Sequence, residues 1–315
     1  MAPNGEGIEN AADALISGRL VAFPTETVYG LGADATSDPA VALIYKAKGR
    51  PAFNPLIVHV ENLKAAQKYA IFNAPAIRLA KKFWPGALTL VLPRREGCPL
   101  SSQVSAGLDT VAIRVPNHPI ANDLLRVSSV PIAAPSANRS GEVSPTQAVH
   151  VLNAWPETDV PGPSLILDGG PCVVGLESTV IDLTSDQPTL LRPGGVTKEQ
   201  LRDVVGGIAH ADGTPNQPRS PGMLARHYSP ALPVHLNAVT AKQGGALLGF
   251  GPDAQAATLN LSNTGDVQEA AANLFTMIRA LDNKRFSSIS ISPIPVDGVG
   301  LAINDRLRRA ATPEP

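Results

Sequence analysis

Short apolar runs recur between Leu20 and Leu183, each bounded by a helical pattern or by turn residues, and this alternation confines the chain to an α/β layer architecture. The runs are Leu20–Phe23, Leu56–Val60, Leu88–Leu92, Thr110–Val115, Ile132–Ala134, Leu165–Leu167 and Val180–Leu183. All are too short for buried helices and read as strands. Some connections are also too short for parallel crossovers, which need a dozen or more residues, so a twisted mixed sheet with flanking helices is expected.

Helix signals fall between these strands. Ile8, Ala11, Ala12, Leu15 and Ile16 recur at helical spacing, with Gly18 where a C-terminal cap would sit. SDPAVALIYKAKG offers Ser37 or Asp38 as N-cap, Pro39 in the first turn and Gly49 at the close. Thr197, with Gln200 three positions on, predicts a capping-box helix that ends this region.

Beyond Gly207 the composition changes. HADGTPNQPRSPGMLARHYSP is rich in proline, glycine and polar residues and has no period, which marks a linker. A second α/β pattern follows, with strands near Val234, Ala246–Leu248 and Ile289. Its strong helix, Asp266–Leu281, carries an apolar stripe of Ala270, Ala271, Leu274, Phe275, Ile278 and Leu281 and is capped by Asp266 with Glu269. A chain of 315 residues exceeds one compact domain. We therefore expect a larger domain over 1–207, a linker over 208–232 and a smaller α/β domain over 233–315.

A formal net charge of −1 gives no protein-wide field to hold a nucleic acid. Aromatic residues, at 4%, are too few for base-stacking platforms. Cys98 and Cys172 lie far apart without partners at metal-ligand spacing, so neither zinc knuckle nor disulfide framework is indicated. The polar start MAPNGEGIEN has no signal pattern, and no apolar run reaches membrane-spanning length. The expectation is a soluble cytoplasmic protein without membrane contact.

The polar loops point to a nucleotide and an anion. PTETVYGLGADA, Pro24–Ala35, follows the first strand with hydroxyls and glycines suited to a polar ligand. Gly30, Gly32 and Ala35, like Gly249, Gly251 and Ala254, satisfy G-x-G-x-x-A, but neither set lies in the strand–turn–helix context that a dinucleotide site requires. Lys46, Lys48 and Arg50 crowd one helix end. They either complement its dipole or form a fork for polyphosphate oxygens. Asn54 and His59 flank the next strand, and His59 would otherwise be an ordinary core histidine. Thr110 and Arg114 share one strand face, and Arg114 needs either a substrate carboxylate or a structural acid such as Asp109 or Asp123. Ser136, Ser140 and Ser144 follow, the last read as a helix N-cap ahead of Pro145. Ser178 and Arg192 close the set. No Ser/His/Asp arrangement, paired catalytic carboxylates or metal cluster can be read from the spacing.

PTETVYGLGA, KAKGRPAFNPLIVHV, FWPGALTLVL, DTVAIRVPNHP, PIAAPSANRSGEVSPT, GLESTVID and LLRPGG, in this order, closely resemble the YrdC-like threonylcarbamoyl-AMP synthases. SPGMLARHYSP and the region after it resemble the long, two-domain form, whose second domain is Rossmann-like and whose linker crosses the active-site mouth. The resemblance implies that L-threonine, bicarbonate and ATP are converted to L-threonylcarbamoyladenylate, pyrophosphate and water. A downstream threonylcarbamoyl transferase would use this product on tRNA, next to the anticodon. Threonine is expected at Thr27, His59, Arg114, Ala134 and Ser178. ATP is expected at Arg50, Asn54, Thr110, Ser136, Ser144, Arg192 and Tyr228, with Lys48 and Arg50 in catalytic roles and Mg2+ carried by the nucleotide rather than by protein ligands. One departure is Ala87, where the family usually has a second proline.

Two other functions compete with this reading. A carbamoyl-adenylating enzyme with another acceptor, as in hydrogenase-maturation carbamoyltransferases, would bring zinc-finger regions that two lone cysteines do not supply. A double-stranded RNA-binding module, or a weak RNA contact, would use the clusters at Arg78, Lys81 and Lys82 and at Arg94 and Arg95, which otherwise read as solvated faces.

Overall fold

The computed structural model describes residues 1–156, 162–210 and 226–313. Ten strands form one mixed sheet: β1 (Val21–Phe23), β2 (Gly30–Asp34), β3 (Ile57–His59), β4 (Leu88–Pro93), β5 (Thr110–Arg114), β6 (Ile132–Ala133), β7 (Leu165–Ile166), β8 (Thr179–Asp182), β9 (Thr189–Arg192) and β10 (Ala209–His210). Their spatial order is β10-β9-β8-β4-β5-β3-β6-β2-β1-β7. The pairs β3·β5, β4·β8, β1·β7 and β9·β10 are parallel and the others antiparallel, the mixture that the short connections require.

Strand alternation decides where the site can lie. Val58, Leu88, Leu90, Leu92, Val111 and Ile113 face one large core, which also takes Ile44 of α2 (Asp38–Lys48) and Leu79 of the helix Ala74–Phe83. The intervening Ile57, Val91 and Ala112 face the other way, in a small separate cluster with Val180 and Leu191. His59 and Arg114 continue that second face, so it carries the polar residues. At the other end of the sheet, α1 (Gly5–Ile16) packs with Val21, Phe23 and the helix Pro119–Ser128 in a core of its own.

Local rules explain most element ends. The Ser37 side chain caps α2, and Gly49 takes the left-handed conformation at its end with φ of 61°. Thr197 and Gln200 form the reciprocal capping box of the helix Lys198–Val205. Part of the loop expected over Pro24–Ala35 is instead strand β2, hydrogen-bonded between β1 and β6. Its glycines serve packing. A Cβ on Gly32 would sit 2.8 Å from both Ile132 Cγ2 and Phe23 Cε1. Gly249 is similarly shut in, since a Cβ there would lie 2.7 Å from that of Ala254.

The second sheet is wholly parallel: β11 (Val234–His235), β12 (Ala246–Gly249), β13 (Leu259–Asn260) and β14 (Ile289–Ile291), in the order β11-β14-β12-β13. Helices Val267–Leu281 and Val299–Ala310 cover it. Asp266 caps the first of these by accepting from the N–H groups of Gln268 and Glu269, while the Glu269 side chain turns to Ser262. This core does not stop at the second sheet. Val28, Val143, Leu176 and Tyr228 belong to it, so the two units share buried apolar surface. The Asp282 carboxylate also accepts from the N–H groups of Ala231 and Leu232. Most of the expected linker, 211–225, lies outside the described residues, while Ala209–His210 extends the first sheet.

Candidate active site

The polar face of β3, β4 and β5 is brought into register by the sheet. His59 lies opposite Arg114 across β3·β5, and Thr89 lies opposite Arg114 across β4·β5. Arg114 is 3% exposed, and burial of its charge requires compensation. Glu26 supplies it, with a carboxylate oxygen 2.7 Å from the guanidinium, in place of the Asp109 or Asp123 expected from sequence. Asp123 instead pairs with Arg126 on the surface. Arg114 Nη1 also donates to Thr27 Oγ1 at 2.8 Å, and Nε donates to the Gly86 carbonyl. Its fork is therefore held fixed, with Nη2 in the ion pair to Glu26.

His59 stands edge-on to Phe23 at 6.0 Å between ring centroids. Burial, reinforced by Arg114, pushes its pKa down to about 3, so the ring is neutral at physiological pH.

A second group of cations gathers nearby. Arg50 donates through Nε to the Asn54 carbonyl and through Nη2 to Asn54 Oδ1 and the Pro55 carbonyl, which curls the loop after α2 into a rigid arc. Burial lowers its pKa to about 10, with Tyr45 opposing and Arg192 adding to the shift. Arg192 grips the Ser178 carbonyl with Nε and Nη2, and Ser178 Oγ lies 2.7 Å from Thr89 Oγ1. Lys48 is buried behind this group, donating to the carbonyls of Ser136 and Asn138. Burial, with Arg50 beside it, lowers its pKa well below the usual lysine value.

Thr27, His59, Arg114, Ala134 and Ser178 line a common cavity, together with Arg50, Ser136, Arg192 and Tyr228. It is partly open to solvent. Asn54, Lys48 and Ser144 stand behind its wall, and Thr110 lies at the far end of β5 beside Pro93. Ser144 is not a helix cap, because the following helix, Ala148–Ala154, starts after Gln147. Its hydroxyl instead donates to Glu177 Oε1 at 2.5 Å.

Sequence reading missed Glu26, Glu177, His227 and Arg306. Glu177 lines the cavity, and burial alone would raise its pKa. Arg306 and Arg192, with hydrogen bonds from Ser144 and Arg306, outweigh that and hold it at about 2. His227 packs 4.0 Å from the Tyr228 ring, and burial lowers its pKa to about 3 although Glu177 opposes the shift. Tyr228, whose φ is 60°, stacks on Phe275 at 5.6 Å. The basic clusters are partly structural: Arg94 donates to the Leu100 carbonyl and to Cys98, and Arg95 donates to the Gln67 carbonyl.

A neutral imidazole, hydroxyls and the buried guanidinium groups of Arg50, Arg114 and Arg192 line one hollow of an α/β protein, a lining whose chemistry suits anions, and a second parallel-sheet unit packs against Tyr228 at its wall. The family model Sua5_yciO_yrdC, described as "Telomere recombination", matches residues 13–194, and that of the threonylcarbamoyl-AMP synthase C-terminal domain matches residues 196–312. The chain is 43% identical to the threonylcarbamoyl-AMP synthase of Bacillus subtilis, covering 99% of this chain and 94% of the relative. It is 42% identical to that of Pyrococcus abyssi, covering 96% and 94%. The structure of P. abyssi Sua5 complexed with L-threonine superposes with a TM-score of 0.88 at 40% identity, over 96% of this chain and 94% of that one. The chain belongs to the threonylcarbamoyl-AMP synthase family, in its long two-domain form.

Proposed function

We propose that this cavity condenses L-threonine, bicarbonate and ATP into L-threonylcarbamoyladenylate, with release of pyrophosphate and water. The observation that carries the reading is the buried Arg114, its fork fixed by Glu26 and Thr27, in the same hollow as Arg50 and Arg192. In this reading the threonine carboxylate meets Arg114, beside Thr27, His59, Ala134 and Ser178. The triphosphate meets Arg50, Arg192 and Ser136, with Tyr228 closing from the linker side. Asn54, Lys48 and Ser144 act from behind the wall by fixing Arg50, the Ser136–Asn138 loop and Glu177. Thr110 is proposed to reach the nucleotide only at the outer end of β5.

Residue chemistry supports the sequence of steps. The threonine amine must be neutral to capture carbon dioxide from bicarbonate. A carbamate oxygen then attacks the α-phosphorus, the bond to the β,γ-diphosphate breaks, and pyrophosphate leaves. Buried guanidinium groups stabilise charge far better than exposed ones, because they are already desolvated and oriented. Enclosure also protects a carbamate from water. Mg2+ is proposed to enter as part of the nucleotide, since the Glu177 carboxylate in the cavity wall is engaged by Ser144 and Arg306; the ion would supply charge neutralisation at the triphosphate.

The domain assignment proposed with this function is 1–207 catalytic, 208–232 linker and 233–315 accessory. The product is proposed to pass to a threonylcarbamoyl transferase acting on tRNA, in the cytoplasm. Among the described residues, no helix is long and apolar enough to cross a membrane. Pyrophosphate release measured with each substrate omitted in turn tests the reaction: it is expected only when ATP, threonine and bicarbonate are all present. Arg50→Ala should raise the KM for ATP and Arg114→Ala the KM for threonine. Equal effects of both variants on both substrates would overturn the assignment.

A further inference from the structure

Arg306 has the bulkiest fully buried side chain among the described residues, yet it belongs to the second unit and does not line the cavity. Its surroundings are specific. Nε donates to Glu177 Oε2 at 2.8 Å, and Nη1 donates to the Pro193 carbonyl at 2.8 Å and to Asp305 at 2.9 Å. The guanidinium carbon lies 5.3 Å from the centroid of the Tyr228 ring, within cation–π range.

One side chain of the accessory unit thus holds three places on the cavity wall. Glu177 precedes Ser178, Pro193 follows Arg192, and Tyr228 is itself a wall residue. The two backbone segments are also packed against each other, since a Cβ on Gly194 would come within 2.3 Å of the Glu177 carbonyl oxygen. Arg306 ties both segments to the helix Val299–Ala310.

We propose that Arg306 is a positioning residue for nucleotide binding: by taking up the Glu177 carboxylate, it keeps that carboxylate from pairing with Arg192. The inference rests on the reading that the Arg50–Arg192 end of the cavity holds ATP. A buried carboxylate deprived of its cation seeks the nearest replacement, because an uncompensated charge in a low-dielectric interior is costly. Arg192 is that replacement. It is buried, shares the cavity wall with Glu177 and donates to the carbonyl of Ser178, the residue after Glu177. Pairing with Glu177 would set that carboxylate in competition with a triphosphate for the Arg192 guanidinium. The Arg114 end, with its own acid in Glu26, would be untouched. The accessory unit therefore tunes one substrate and not the other.

The test uses the full chain and isothermal titration with ATP alone and with threonine alone. Arg306→Met is expected to weaken ATP binding by about tenfold or more, within the usual range of coupling between sites, and to leave threonine binding within about twofold. The double variant Glu177→Gln with Arg306→Met should recover most of the ATP affinity, because the orphaned charge is gone. A merely structural arginine predicts the reverse, with both ligands weakened together and the double variant no better than the single one. That result, or unchanged ATP binding in Arg306→Met, overturns the inference. If Arg306→Met does not fold, the double variant decides: recovery of fold and ATP binding supports the proposal, and an unfolded double variant overturns it. Wild-type protein that fails to bind ATP would sink the functional reading as well, whereas failure of the variants alone sinks only the role of Arg306.

Discussion

Acid should loosen this protein more steeply than its composition implies, and the cause is two buried imidazoles. His59 and His227 are 4% and 7% exposed, and burial lowers both to about 3 from an ordinary value near 6.5. The unfolded chain takes up protons on both as pH falls below about 6.5, and the folded chain does not until about pH 3. Their contribution to stability is therefore complete above about 6.5 and is lost progressively as pH falls towards 3. At 1.36 kcal/mol per pKa unit, each ring removes about 1.2 kcal/mol between pH 6 and pH 5, so the pair removes about 2.4 kcal/mol. Urea unfolding followed by circular dichroism, in half-unit steps from pH 7 to pH 4.5, measures this slope directly. The double variant His59→Asn with His227→Asn should lose that share of the slope. His150, lowered to about 4 chiefly by burial, contributes equally to both proteins and cancels in the difference. Equal slopes in wild type and double variant would refute the reasoning, since both rings would then protonate without penalty in the folded state.

Two further outcomes follow from the packing. Arg114→Met leaves the Glu26 carboxylate buried without a cation, which should cost about 3–5 kcal/mol and lower the thermal midpoint; adding Glu26→Gln should restore most of it, and a double variant as unstable as the single one would contradict the pairing. Gly32→Ala forces a methyl group against Ile132 and Phe23 and should cost about 1–3 kcal/mol in the same assay, whereas Gly18→Asn, at a left-handed position with open space around it, should change little.

The strands that sequence reveals are those with apolar side chains on at least one face, such as Leu88–Pro93, whose leucines mark the core side. Strand β2 escapes because two of its five residues are glycines, selected for closeness to Phe23 and Ile132, and a missing side chain leaves no periodic trace. Edge strands of two residues, such as Ala209–His210, are too short for any period to register. The cavity cations were legible where they sit on recurring motifs at strand ends, as with Arg114 and Arg192. Their counterions were not. Glu26 lies beside the legible Thr27 but meets Arg114 only through the sheet, and Arg306 lies in a run, RLRR, that looks like the basic end of an exposed helix. Ser144 misled for a related reason: Ser-Pro is common at helix starts, but here a carboxylate competes for the hydroxyl.

The contact between Glu177 and Arg306 spans 129 positions of chain. At roughly 5–20 residues per second, a ribosome needs about 6–26 s to make that stretch, so Glu177 waits that long for the arginine that holds it. Chains cut short before Arg306 would carry the cavity-lining residues of the first unit with the Glu177 carboxylate lacking its Arg306 partner.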